Sequence, residues 1–332
     1  MAALTALALA AVLAAIGWSL HALSTGERRV ATTAEKPRTP AAASEIIAAL
    51  DSARTYLNRQ EPGRAEAVLV ALLEKAPRDQ EARMLLAETY LLLERPNDAY
   101  EQYAEAIEIG PVHAELAFAA GTVANTIGMP YIAEAHYVKA QEADPTNPKH
   151  PLYLAQIQRK LGSDEEAKAS LLRAVTLDPS LDIGWGVLAD MALEENNLSI
   201  ARMHIERARR IAPGSISWRI LEARILRRDN NPEGAARVLR SLDDELILED
   251  PVLLDELAKS YAMLGRPEDA AALYMTASAR RTRDADMAYL AAVWLERAER
   301  FNDAEIYAQA AVGLGHEDAR ALLERIRSKR SG

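Results

Sequence analysis

Six histidines come first, because imidazole is the side chain that most readily serves as acid, base or metal ligand near neutral pH. They are His21, His113, His136, His150, His204 and His316. None has a second ligand partner at helical spacing, and the HExxH arrangement is missing, as are a Gly-Lys-Ser phosphate loop and a Gly-x-Ser-x-Gly elbow. His136 and His204 fall at equivalent places of an internal repeat and are expected to be solvated helix residues. The acid pairs Glu165-Glu166 and Asp243-Asp244 could act in proton transfer, but they sit at turns and helix starts, where the helix dipole favours negative charge. Cysteine is absent, which excludes disulfides, thiolate metal sites and a lipid-modified cysteine. The sequence therefore predicts no enzyme, no catalytic residue, no cofactor, no metal and no small-molecule substrate.

What the sequence does provide is a rhythm. Ala65, Ala99, Ala133, Ala167, Ala201 and Ala235 fall 34 residues apart, and Ala270 and Ala304 continue the row after one step of 35. A second row, Ala53, Ala87, Gly121, Ala155, Ala189, Ala223, Ala258 and Ala292, runs 12 residues upstream of the first. Pro77, Pro111, Pro145, Pro179 and Pro213 keep the same period. Two phase-locked rows of small residues and one of helix breakers describe stacked structural units.

Each period holds two apolar stripes of helical spacing. In the fourth, Leu152, Tyr153, Leu154, Ala155, Ile157 and Leu161 mark one helix, and Ala167, Leu171, Leu172, Ala174 and Val175 mark the next. Between them lie residues that adopt the left-handed backbone cheaply: Gly128, Gly162, Asn196, Asn230 and Gly265 in successive periods. Pro96, Pro130, Pro232 and Pro267 follow two places later, where a helix start tolerates proline. The unit is a helical hairpin. Its alanines let the two helices cross closely, and Tyr56, Tyr90, Tyr103, Tyr137, Leu188 and Tyr274 fill the spaces between hairpins.

This pattern resembles the tetratricopeptide repeat family, as in Trp185, Leu188, Ala189, Ala192, Ala201, Ile205, Ala208 and Pro213 of the fifth unit. The resemblance implies an all-α, right-handed α-solenoid of about eight hairpins over residues 44–315. Residues 316–332 are expected to supply a capping helix, with Ala319, Leu322, Leu323 and Ile326 on one face. In the sixth unit Leu242 stands where the pattern has alanine and the closing proline is missing.

The resemblance also implies where a partner sits, since in that family positions 2, 5, 9, 12 and 13 of each unit line a peptide-binding groove. Carried over by position, Phe118, Thr122, Asn125, Lys149, Gln156, Arg159 and Lys160 form a polar, basic patch. Asp190 and Glu194 reverse the sign in the fifth unit, and Arg224, Arg227 and Arg228 restore it in the sixth. Such a groove would suit other proteins or peptides of complementary charge.

Ahead of the repeats, Ala2–Leu23 contains no charged residue and is long enough for a transmembrane anchor, which we expect at 1–23 in preference to a cleaved signal peptide. A flexible linker is expected at 24–43, where four basic residues follow the span and place the solenoid on the cytoplasmic side, with the periplasmic side left open. The formal charge of −10 argues against a nucleic-acid partner, since phosphate binding depends on lysine and arginine. The sequence thus describes a membrane-tethered protein-interaction scaffold, with an accessory or assembly subunit of a membrane or cell-envelope complex as the alternative, and an RNA-binding repeat protein as the weaker one.

Overall fold

The structure is a computed structural model describing residues 40–331. Eighteen helices and no strands are found among the described residues, and the chain divides into two compact units, with the break between Pro179 and Ser180. The expected anchor and nearly all of the linker lie outside the described residues. The linker ends sooner than expected, because helix α1 begins at Pro40. A proline followed by three alanines is a favourable helix start.

The first unit stacks α1 (Pro40–Asn58), α2 (Pro62–Lys75), α3 (Gln80–Leu92), α4 (Pro96–Ile109), α5 (Ala114–Thr126), α6 (Pro130–Ala143), α7 (Lys149–Leu161) and α8 (Asp164–Leu177). The second contains α9 (Asp182–Glu194), α10 (Leu198–Ile211), α11 (Ile216–Arg228), α12 (Pro232–Arg240), α13 (Asp244–Glu249), α14 (Pro251–Met263), α15 (Pro267–Arg280), α16 (Ala285–Arg297), α17 (Phe301–Gly313) and α18 (Ala319–Ser331). Every residue of both small-residue rows is buried, so the alanines are the crossing points of paired helices. At Gly121 an added methyl would press on the Tyr137 ring and the Ala133 carbonyl, so this joint is tighter than its alanine counterparts. Tyr103, Tyr137 and Tyr274 are fully enclosed, and burial pushes their phenols up.

All eight hairpins turn by one device. The amide of the residue after the left-handed position donates back across the helix end, as Arg95 to the Tyr90 carbonyl (2.8 Å), Met129 to Ala124 (2.8 Å) and Asn197 to Ala192 (2.7 Å). This six-residue closure needs a left-handed residue just before its donor. Gly128, Gly162, Asn196, Asn230 and Gly265 fill that place as expected, but so do Gln60, Glu94 and Glu299, at φ of 59°, 57° and 56°. The hydrogen bond selects the conformation even where the side chain resists it. Glu94→Gly should therefore raise stability by about 0.5–1 kcal/mol, with the left-handed penalty removed and partly offset by the greater freedom of glycine when unfolded. An unmoved urea midpoint would show that Glu94 carries no strain.

The repeating prolines end the second helices through the residue before them. Ala76, Asp144, Asp178 and Ala212 have φ of −131°, −137°, −135° and −120°, the extended region that a following proline enforces. The sixth hairpin has no such proline and closes differently. Its second helix, α12, stops at Arg240, and the short α13 follows after Ser241-Leu242-Asp243. The Asp243 carboxylate accepts the Glu245 amide (2.8 Å), and Ile247 and Leu248 are buried in the core. The extra turn accounts for the single 35-residue step.

The expected capping helix is α18. Ala319, Leu322, Leu323 and Ile326 are buried against the preceding hairpin. Its other side carries cations that hold two carboxylates: Arg325 forks onto Glu296 (2.8 and 2.7 Å) with Lys329 alongside (3.1 Å), and Arg327 (2.7 Å) and Arg330 hold Glu305. The Arg325 and Arg327 hydrogen bonds hold the two carboxyls below the ordinary glutamate value of 4.5. A depressed carboxylate contributes stability above its unfolded pKa and loses it as pH falls through the folded one. Amide exchange in α18 should therefore accelerate ahead of the rest of the second unit as pH drops below about 4.5, and Glu296→Gln should remove most of that dependence. A cap that stays protected at pH 3 would contradict this.

Candidate peptide-binding face

In each unit the first helices of successive hairpins touch, α1 with α3 in one and α9 with α11 and α11 with α14 in the other. Side chains stitch the face they share. Arg54 on α1 pairs with Glu81 on α3, Lys160 on α7 donates to the Asn125 side chain on α5 (3.1 Å), and Arg224 on α11 donates to Glu256 on α14 (2.7 Å). A row of first helices therefore presents a common polar surface within each unit.

The structure places the sequence-derived residues unevenly on it. Lys149, Gln156 and Lys160 are exposed on α7, and Arg159 is half-buried. Phe118 is half-buried at its edge and packs against the core. Its ring lies 4.9 Å from that of Tyr153, 5.5 Å from Tyr137 and 5.6 Å from His150. Thr122 spends its hydroxyl on the Phe118 carbonyl (2.9 Å) and accepts from the Tyr137 hydroxyl (3.3 Å). In the second unit Asp190 is half-buried and Glu194 and Arg228 are exposed, while Arg224 and Arg227 both grip Glu256. Much of the positive charge on the sixth hairpin is thus answered internally.

Several residues on this face escaped the sequence reading. Ile47, Ile183, Val252 and Met263 are exposed at positions 2 and 13 of their units, the same positions that nominated Lys149 and Lys160. Scanning those positions for large apolar residues as well as charge would have found them. The stitching carboxylate Glu256 occupies a column where repeats two to six and eight carry Leu85, Ala119, Tyr153, Val187, Leu221 and Leu290, and that contrast was readable.

The histidines need correction. His136 and His204 are buried, not solvated, and His150 is buried with them. His136 lies 3.4 Å from the Tyr100 hydroxyl, and burial, reinforced by Lys139, holds its imidazole down. His204 stacks on Trp185 (5.4 Å between centroids), whose ring also carries the Arg207 guanidinium at 4.4 Å. Their recurrence marks a buried packing position on the second helix, which meets the preceding hairpin at His136 and the first helix of its own hairpin at His204. Among the described residues no group of three or more histidines, cysteines or acids is placed to hold a metal ion.

Profiles of the tetratricopeptide repeat match residues 50–114 and 154–181. The chain carries tetratricopeptide repeats. Among solved structures it is similar to that of Pseudomonas aeruginosa pilF, at a TM-score of 0.53 and 18% identity over 66% of this chain and 99% of that one. A tetratricopeptide repeat protein from Parabacteroides merdae gives 0.48 and 16%, over 86% and 99%. YrrB, described as a TPR protein with an unusual peptide-binding site, gives 0.49 and 19%, over 53% and 91%. No curated protein matches the chain in sequence. The pilF likeness supports the helical-hairpin fold, and the profile matches support the family.

Proposed function

We propose that this tetratricopeptide repeat protein is an interaction scaffold that holds partner polypeptides on the shared face of its first helices. One observation carries the reading: the face of each unit exposes large apolar side chains together with charge, Ile47 with Lys149 and Lys160 in the first unit, and Ile183, Val252 and Met263 with Arg228 in the second. A monomeric surface gains nothing from several bare aliphatic groups at equivalent places of a repeat, whereas a peptide covering them would gain about 1 kcal/mol or more for each. The flanking charges would set its orientation.

The scaffold is proposed to be tethered. Support comes from the uncharged run Ala2–Leu23, whose length suits a bilayer, and from the four basic residues that follow it, which favour a cytoplasmic position for the repeats. No helix among the described residues is long and apolar enough to cross a membrane. Tethering would raise the local concentration of the scaffold around membrane-bound partners without any new contact.

A photo-crosslinking amino acid at Gln156 or Val252, in the full chain in intact cells, should yield discrete polypeptide adducts that the same group at Leu172, exposed on the second helix α8, does not. Equal or absent labelling at the three positions would remove the scaffold reading. Fractionation of the full chain against residues 44–332 tests the tether separately, and identical partitioning would remove it.

A further inference from the structure

The repeats serve as controls for one another, and three of the eight hairpin turns share a charged clamp. In the second, seventh and eighth hairpins the residue that opens the second helix is an arginine paired with an aspartate three residues on: Arg95 with Asp98 (2.5 Å), Arg266 with Asp269 (2.6 Å) and Arg300 with Asp303 (2.8 Å). In two of these turns the guanidinium also lies over a tyrosine five residues upstream, Arg95 over Tyr90 at 4.4 Å and Arg266 over Tyr261 at 5.2 Å. The third hairpin has the same backbone closure, with Met129 donating to Ala124. There, as in the fourth to sixth hairpins, every member of the set is replaced: Ala124 stands for the tyrosine, and here the arginine and the aspartate give way to exposed large apolar residues, Met129 and Ile132. Between them Tyr131 stands where Asn97 stands in the second hairpin, and it is 74% exposed, with Met129 at 39% and Ile132 at 41%. A hydrophobic staple across the turn would explain the methionine and isoleucine. It does not explain a tyrosine in open solvent.

The neighbouring turn, of the fourth hairpin, opens α8 with Asp164, Glu165 and Glu166, all exposed. Ser163 occupies the arginine position there, so this turn lacks the clamp. Glu165 and Glu166 hold the repeat positions of Tyr131 and Ile132, one hairpin further along, so the three carboxylates stand at the adjacent turn of the first unit.

We infer that this edge of the first unit, Met129, Tyr131 and Ile132 flanked by Asp164, Glu165 and Glu166, is a second docking surface for a polypeptide segment that presents an apolar side chain next to lysine or arginine. Charge complementarity selects that occupant: the carboxylates would repel an anionic lipid surface and attract a basic segment, while tyrosine supplies the large, rigid anchor usual at interface centres. The surface is made by turns, apart from the shared face of the first helices, and it stands whether or not a peptide binds there.

The test uses the full chain in detergent and a fluorescein-labelled amphipathic peptide of leucine and lysine, read by anisotropy at two salt concentrations. The triple variant M129R/Y131N/I132D grafts the turn of the second hairpin onto the third, so it should fold. It should weaken the peptide at least tenfold, as should D164N/E165Q/E166Q with loss of the salt dependence, while E268Q on the seventh hairpin leaves binding unchanged. Equal binding by the graft and the parent would overturn the proposal. So would graft-sensitive self-association in sedimentation equilibrium, which would make a second copy the occupant, or graft-sensitive adsorption to phosphatidylcholine vesicles, which would make it lipid.

Discussion

Gly186→Leu should loosen the second unit by about 1–3 kcal/mol and expose Trp218 to solvent. Gly186 lies on α9 where the Trp218 ring of α11 rests against its backbone, and even a methyl group built there overlaps the indole. The ring cannot step aside cheaply, because its N–H donates to the Asp182 carboxylate (2.8 Å) at the start of α9. Displacement would abandon that bond and unpack the joint between two hairpins. Acrylamide quenching and a red-shifted tryptophan emission should report the movement, with a lowered urea midpoint alongside. The partner substitution separates this from a general intolerance of side chains on α9. Elsewhere Gly186's position carries Leu50, Met84 or Leu152, and Trp218's carries Ala82, Leu116 or Leu253, so this joint has exchanged a large residue for a small one across the gap. Gly186→Leu combined with Trp218→Ala should cost clearly less than the sum of the two single changes. Simple additivity would mean that the two residues are not coupled.

The same joint shows what the sequence could and could not disclose. The alanine rows were legible because a methyl-sized contact recurs at every crossing, so the period states the packing directly. The glycine and asparagine turns were legible for a similar reason, since those residues advertise the left-handed backbone. Glu94, Gln60 and Glu299 hid because their conformation is imposed by a hydrogen bond from the next turn, which no property of glutamate or glutamine announces. His136 and His204 were misread because solvated and buried histidines look alike until their neighbours are known, and Tyr100 and Trp185 belong to other helices. The candidate face was half legible. Position within the repeat located Lys149, Gln156 and Lys160 on exposed ground, but it could not show that Phe118 turns into an aromatic cluster. Nor could it show that the charge of Arg224 and Arg227 is already spoken for.

That internal pairing leads to a change that trades stability against binding. Glu256→Gln should destabilise the second unit by about 2 kcal/mol and, in the same variant, strengthen binding of an acidic peptide. The Glu256 side chain is only 5% exposed and accepts from both Arg224 and Arg227, the second of which is itself largely enclosed. An amide in its place keeps the shape and one acceptor but leaves two guanidinium groups facing no negative charge, the expensive half of breaking a buried pair. The cost falls below the roughly 3–5 kcal/mol of a fully enclosed pair because Arg224 is partly in water and screened. The two arginines, with exposed Arg228 beside them, then become available cations on the shared face. A labelled poly-glutamate peptide should bind several-fold more tightly, and the gain should shrink as salt is added. Replacing the pair by apolar residues, Arg227→Met with Glu256→Leu, should recover much of the stability without that gain, because the neighbouring repeats carry aliphatic groups in the Glu256 column. If Glu256→Gln leaves both the urea midpoint and acidic-peptide binding where they were, the carboxylate neither holds the joint nor masks the arginines.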